Sequence, residues 1–290
     1  MIGTSTIVKG KRFDFSGFFL YAFLTALGLL MLAPLVYMFS SALKPTSELF
    51  LFPPRFFVVN PTLKNFKDLI LATGTSIVPF SRYIFNSIVV SSCIVVGSIV
   101  IAAMAAYPLS KHDMPFKKLI FNMILLALMF APQVTQIPQF IVIKELGLIN
   151  TYVALIIPAL AAPVSLFLMK QFLDQIPNAL LEATRIDGGN EWTTFWKVVM
   201  PMLKPAWATL ALFSFISAWN DPWAANIYTT TEDMKTLPLA LQTLSGGYGV
   251  VARTGTVAAA SFLMVVPTIL VFVITQRMVL ETMAHSGIKE

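Results

Sequence analysis

The sequence predicts an all-α, polytopic membrane protein with six transmembrane helices and a short cytoplasmic helix pair between the fourth and the fifth. Three observations carry this. Of 290 residues, 57% are hydrophobic and only 12% charged, with a mean hydropathy of +0.78, whereas soluble domains run nearer half apolar and a quarter charged. Apolar runs close to the ~20 residues that a bilayer demands recur along the chain. One polar island, residues 176–205, interrupts them, and its own periodicity is that of two short helices.

Taken in order, Lys9, Lys11 and Arg12 precede an apolar run over about residues 15–43. That run exceeds the ~7–15 residues of a signal-peptide core and lacks an A-x-A cleavage site, so it reads as a retained first span. Lys44 to Arg82 is polar and broken by Pro45, Pro53, Pro54 and Pro61, and is too short to be a domain of its own. Further spans read at about 84–110, 116–137, 151–172, 205–226 and 256–276, all within one transmembrane domain covering 1–290, with no convincing internal repeat. Prolines and amides gather in the later ones: Pro132, Gln133, Gln136, Pro138 and Gln139, then Pro158 and Pro163, then Asn220, Asp221 and Pro222. Proline is tolerated in a span where neighbours satisfy the freed carbonyls, so these helices are expected to face protein or a cavity rather than lipid.

An even number of spans puts both termini on one side. Placing them in the cytoplasm gives the inner loops twelve of the 20 Lys and Arg residues, the orientation that the positive-inside rule favours. The island then lies in the cytoplasm. The net charge of +6 comes without a basic block or aromatic-basic interleaving, so it reads as topology and not as nucleic-acid binding.

Enzyme chemistry finds little to stand on. The single Cys93 sits in an apolar run, which excludes a disulfide framework and reads as a buried small hydrophobe. His112 and His285 fall in expected loops without metal-ligand spacing, and read as solvated. Gly10-Lys11 has no glycine five residues upstream, so no phosphate-binding loop is present, and no G-x-S-x-G serine motif occurs. No catalytic or metal-binding residue is assigned.

Asp221 is the one acid expected at membrane depth. Seventeen residues beyond Lys204, at ~1.5 Å each, it falls near the outer end of a ~30 Å hydrocarbon core. With Trp219, Trp223, Asn226 and Tyr228 nearby, the group offers flat apolar faces and hydrogen-bonding tips that suit sugar rings. Trp219, Asn220, Asp221, Gln133 and Gln136 are therefore candidates for the substrate path. The alternative is an aromatic belt at the interface, with Asp221 satisfying a broken helix end.

Within the island, Pro177, Asn178 and Glu182 start a helix whose Ala179, Leu180, Ala183 and Ile186 share one face. Gly188 and Gly189 stop it. Asn190 can cap a second helix with Glu191 in its first turn, where an acid suits the dipole, before Pro201 and Pro205. Glu182 and Arg185, three apart, can pair on the first helix. Such an element on the cytosolic side can serve as a docking knob for a soluble protein.

At Glu182-Ala183-Thr184, with Gly188 six residues after the glutamate, then Val198, Met200 and Pro201, the island resembles the EAA loop of ABC importer permeases: E-A-A, three residues, G, nine residues, I-x-L-P. The spacing matches throughout, with Thr184, Val198 and Met200 as small or conservative departures. Ile186-Asp187-Gly188 looks like the I-D-G form of the carbohydrate-uptake branch. Beyond the loop the chain resembles the maltose-type second permease of binding-protein-dependent systems, at Ser41-Ala42-Leu43-Lys44, Asn86-Ser87, Gly147-Leu148-Ile149-Asn150-Thr151, Trp219-Asn220-Asp221 and the tail Gly287-Ile288-Lys289-Glu290, where Glu290 replaces a glycine.

The resemblance implies a non-enzymatic subunit of a bacterial or archaeal cell membrane. Its partners would be a second homologous permease, a cytosolic ABC ATPase dimer carrying Mg-ATP, and an extracytoplasmic solute-binding protein that delivers a sugar. The helix over about 178–187 would be the coupling helix, with Glu182, Ala183, Arg185, Asp187 and Gly188 as ATPase-coupling residues, and Gly287 and Lys289 would approach the ATPase from the tail. The chain itself would bind no cofactor. The rival class is an ion-gradient-driven secondary transporter or channel, against which six spans without a duplicated half or paired buried acids offer little to hold a coupling ion.

Overall fold

The structure, a computed structural model, describes residues 15–72, 78–246 and 253–287, and every regular element among them is helical. Three uninterrupted apolar segments form long helices: α1 (Phe15–Leu43), α4 (Phe80–Lys111) and α15 (Thr254–Gly287). Each is long and apolar enough to cross a membrane. Between them lie α2 (Thr46–Leu49) and α3 (Lys64–Ala72) after α1, and then α5 (Lys117–Leu128), α6 (Pro132–Glu145), α7 (Tyr152–Leu160), α8 (Pro163–Asp174), α9 (Asn178–Ile186), α10 (Glu191–Thr194), a π-helical turn (Phe195–Val199), α11 (Met200–Met202), α12 (Lys204–Trp219), α13 (Trp223–Tyr228) and α14 (Leu237–Ser245).

The expected third span, 116–137, is not one helix. It breaks at residues 129–131, and α6 turns 106° away from α5. The cause is Pro132, whose ring disfavours a helical conformation in the residue before it; Ala131 is accordingly extended at φ −65°, ψ 133°. Pro163 does the same to Ala162 and bends α8 by 46° from α7. The helix Glu191–Met202 meets α12 at 74°. With each bent pair taken as one span the count reaches six. The fifth expected span, 205–226, also stops at Trp219 and resumes as α13, because Pro222 cannot continue it.

Helix α4 is the axis of the bundle, packing along α7, α8 and α12, while α12 lies against α15 and α15 against α1. Small side chains make the close approaches: Ala102, Ala103 and Ala106 on α4 and Ala206 on α12 are buried. In a membrane such residues let backbones come near enough for dispersion to act. A cluster at one end joins α4, α8 and α12 to the island through Tyr107, Leu173, Leu181, Phe195, Val199 and Leu203. At the other end Ala42, Leu69, Phe80, Trp219, Leu237 and Ala259 join α1, α3, α4, α12, α14 and α15. Cys93, expected to be buried, is exposed on α4, because the buried stripe of that helix runs through Val90, Ser91, Ile94 and Ser98.

Candidate functional site

The island folds as two helices about a fixed elbow. Gly188 has φ +80°, the left-handed conformation that costs glycine nothing and other residues strain. Gly189 N–H donates to the Thr184 carbonyl at 2.8 Å and Gly188 N–H to that of Arg185 at 3.0 Å, the paired bonds of a Schellman stop. Asn190 then opens the next helix, its side chain accepting from Thr193 N–H at 2.8 Å. No Cβ fits at Gly189, where one would lie 2.8 Å from the Thr184 carbonyl oxygen. Further along, Pro201 has no N–H to give to the carbonyl four residues back, and the turn before it widens to π, with Met200 N–H reaching Phe195.

Helix α9 stands out from the bundle. Only Leu181 is buried. The face shared by Ala179, Leu180, Ala183 and Ile186 is exposed, Ile186 at 86%. Glu182, Arg185, Asp187 and Gly188 are exposed as well. The apolar side of this amphipathic helix therefore has no partner among the described residues.

The expected Glu182–Arg185 pair does not form. Arg185 instead reaches across the elbow, its Nε and a terminal nitrogen donating to Glu191 Oε1 at 3.2 and 2.9 Å. Glu191 is the better acceptor because it is already held: the Tyr107 hydroxyl donates to its Oε2 at 2.9 Å, and His112 Nε2 lies 3.5 Å from that oxygen. His112, read as a solvated loop residue, is half-buried at the end of α4, edge-on to the Tyr107 ring. The same turn of α4 grips the other side of the island. Lys111 Nζ donates to the Ile176 carbonyl at 2.5 Å and to Asn178 Oδ1 at 3.3 Å, and Ser110 Oγ donates to Asp174 Oδ1 at 2.6 Å. Tyr107 and Lys111 were not legible as site residues, since their partners lie 84 and 65 positions away.

At the opposite end, two motif fragments meet in one hub. Asn86 is fully buried; its Nδ2 donates to the carbonyls of Asp233 and Lys235, both at 2.7 Å, and its Oδ1 accepts from the Tyr152 hydroxyl at 2.7 Å. Ser87 Oγ accepts from Leu237 N–H at 2.8 Å. Asn150, at φ +63°, accepts from the N–H groups of Thr230 and Thr231 and from the Thr231 hydroxyl. The strap 228–237 is thus tied to α4 and to the turn before α7. Beside it, Lys44 is buried with its ammonium on the Arg55 carbonyl. Glu48 accepts from Val59 N–H at 3.0 Å and from the N–H and Nδ2 of Asn60, both at 2.9 Å. The Val59 amide above all, then Asn60 and the charge of Arg55, hold the Glu48 carboxyl below the ordinary glutamate range, against the opposing effect of burial.

The substrate-path candidates do not converge. Trp219 is 2% exposed, stacked on Phe215 and donating from Nε1 to the Met264 carbonyl at 2.9 Å. Its ring is a wall of an apolar cavity of about 250 Å³ between α4, α12, α14 and α15. Asp221 closes the break after α12 by accepting from Trp223 N–H at 2.8 Å. Asn220 is exposed, its Nδ2 donating to the Ile216 carbonyl. Gln133 is exposed and Gln136 half-buried, both on α6. Gly287 ends α15, and Lys289 lies outside the described residues.

Apolar helices broken by proline, together with a knob presented from one end of the bundle, define a multi-pass membrane protein built to dock a partner. The chain belongs to the family described as binding-protein-dependent transport system inner membrane component, which matches residues 98–280. It is 30% identical over 262 residues to the arabinooligosaccharides transport system permease protein AraQ of Halalkalibacterium halodurans, covering 88% of this chain and 90% of that one. It is 30% identical over 250 residues to the sn-glycerol-3-phosphate transport system permease protein UgpE of Yersinia enterocolitica, covering 86% and 89%. The fold is shared with a chain in the crystal structure of a bacterial ABC transporter involved in the import of the acidic polysaccharide alginate, at a TM-score of 0.79 and 23% identity, over 94% of this chain and 99% of that one.

Proposed function

We propose that this chain is one permease subunit of an ATP-driven importer, and that α9 is its coupling helix, seated in a cleft of a cytosolic ABC ATPase that hydrolyses Mg-ATP. The single observation that carries the reading is the unpartnered apolar face of α9, presented on an elbow whose backbone is closed at both Gly188 and Gly189. A rigid knob must move with its socket. When ATP closes the ATPase dimer, α9 is displaced and α8, α12 and α4 follow, because the loop is covalently joined to the first two and clamped to the third; the cavity then opens outward, and hydrolysis reverses the motion. Glu182 and Asp187 make polar contacts at the socket, Ala183 permits close approach, and Gly287 and Lys289 approach the ATPase from the tail.

A second homologous permease completes the path, an extracytoplasmic binding protein delivers the solute, six spans cross the membrane, and both termini lie in the cytoplasm. The solute is a sugar or oligosaccharide, a reading supported by the polyhydroxylated substrates in the relatives' names. Asn220, Asp221, Gln133 and Gln136 are the path candidates in this chain, while Trp219 shapes the wall of the apolar cavity. Glu182→Lys and Gly188→Asp are expected to abolish sugar uptake while the protein still inserts in the membrane. Unchanged uptake, or normal co-purification of the ATPase with both variants, would sink the coupling role.

A further inference from the structure

The helix Glu191–Met202 carries a second unpartnered face, distinct from that of α9. Thr194, Phe195 and Val199 are buried in the bundle. Trp192 and Trp196, four residues apart, stand 57% and 45% exposed with their rings stacked at 6.3 Å and 13°. Met202 is 43% exposed on the same segment, and Lys197 and Lys204 are exposed beside it. An indole buries ~150–250 Å² when it finds an apolar partner, so two of them side by side in water are a poor arrangement for a soluble surface.

The angle indicates what covers them. This helix meets α12 at 74°, so with α12 crossing the bilayer along its normal the segment lies close to the membrane plane, at the point where α12 begins. Tryptophan, apolar in body and polar at its N–H, concentrates in that layer, and lysines beside an apolar face favour anionic lipid. We propose that residues 191–202 form an interfacial helix whose Trp192–Trp196 face rests among the phospholipid headgroups of the cytoplasmic leaflet, with Lys197 and Lys204 toward the lipid phosphates. The elbow at Gly188 and Gly189 then joins, without a hinge, a protein-facing arm to a lipid-facing one.

The test uses the assembled transporter in bilayer discs containing phosphatidylglycerol, with a bromine quencher placed either near the carbonyl or near the methyl end of the acyl chain. Tryptophan emission of the wild type is compared with that of the Trp192→Phe/Trp196→Phe variant, which keeps an aromatic ring at both positions. The expected result is stronger quenching by the shallow label than by the deep one, and loss of most of that difference in the variant. Equal shallow quenching in both proteins overturns the assignment. Quenching that appears only after the ATPase is stripped also overturns it, and gives the face to the ATPase instead. Should the double variant fail to assemble, Trp192→Phe alone is read by the same criterion. The measurement requires neither uptake nor hydrolysis, so its outcome is separate from that of the coupling reading.

Discussion

Replacing Asn86 tests whether the hub at the end of the bundle opposite the island holds the strap 228–237 in place. The side chain is fully buried and makes three hydrogen bonds of 2.7 Å, two given to carbonyls and one accepted from Tyr152. Between helices in a membrane such a bond averages ~0.6 kcal/mol, and in a soluble interior ~1 kcal/mol, so three place the loss in Asn86→Leu at about 2–3 kcal/mol. The two carbonyls are not equally exposed to that loss. Asp233 keeps a second donor in Arg82 Nε at 3.2 Å, so the cost falls chiefly on Lys235. Asn86→Asp separates a hydrogen-bond role from mere packing: it retains the acceptor for Tyr152 and turns a charged oxygen toward both carbonyls. An uncompensated charge facing two carbonyls in a buried site costs more than an apolar side chain there, so Asn86→Asp is expected to destabilise more than Asn86→Leu. Denaturant unfolding in lipid–detergent micelles, followed by tryptophan emission, measures both variants. A loss under about 1 kcal/mol for Asn86→Leu, with Asn86→Asp no more costly than Asn86→Leu, would refute the hub.

Two further predictions follow from the loops at either end. Glu48 is held below its ordinary pKa in the folded protein, so its stabilisation is present above the ordinary glutamate range and disappears as pH falls through the folded value; the stability gap between wild type and Glu48→Gln should therefore shrink as pH falls below the ordinary glutamate range, and a constant gap would contradict the bonding at Val59 and Asn60. At the island Arg185 and Glu191 are about half exposed, so the pair is worth only ~0–1 kcal/mol to stability, yet Glu191→Ala and Tyr107→Phe should each lower sugar taken up per ATP hydrolysed several-fold, measured in the reconstituted importer, with an unchanged ratio counting against the clamp.

What could be read from the sequence was local. Asn178–Ile186 falls within a residue of the expected 178–187, and the glycine stop and the Asn190 cap were visible because each is decided by backbone chemistry within a few positions. The face was legible too, but not its fate: Ala179, Leu180, Ala183 and Ile186 do share a side, and that side is the open one, since Leu181, roughly opposite on the helix, takes the buried place. Arg185 had one acid on its own helix and another across the turn, and the choice between them was made by Tyr107, which no spacing rule brings near. Hydropathy likewise averaged over the breaks before Pro132 and Pro163 and read through them as continuous spans.

The elbow carries a consequence about counting rather than chemistry. Its first helix is closed at a set residue by glycine and its second is opened two residues later by Asn190, so nothing between them can take up slack. One amino acid inserted there would add up to ~3.5 Å of chain for which the glycine stop and the Asn190 cap leave no place, pulling Phe195 and Val199 out of register with the core. Letters can drift, as at Thr184, Val198 and Met200, where a slightly different volume still points the same way. Length cannot, and a gap-free ruler is therefore a better detector of this joint than any list of its residues.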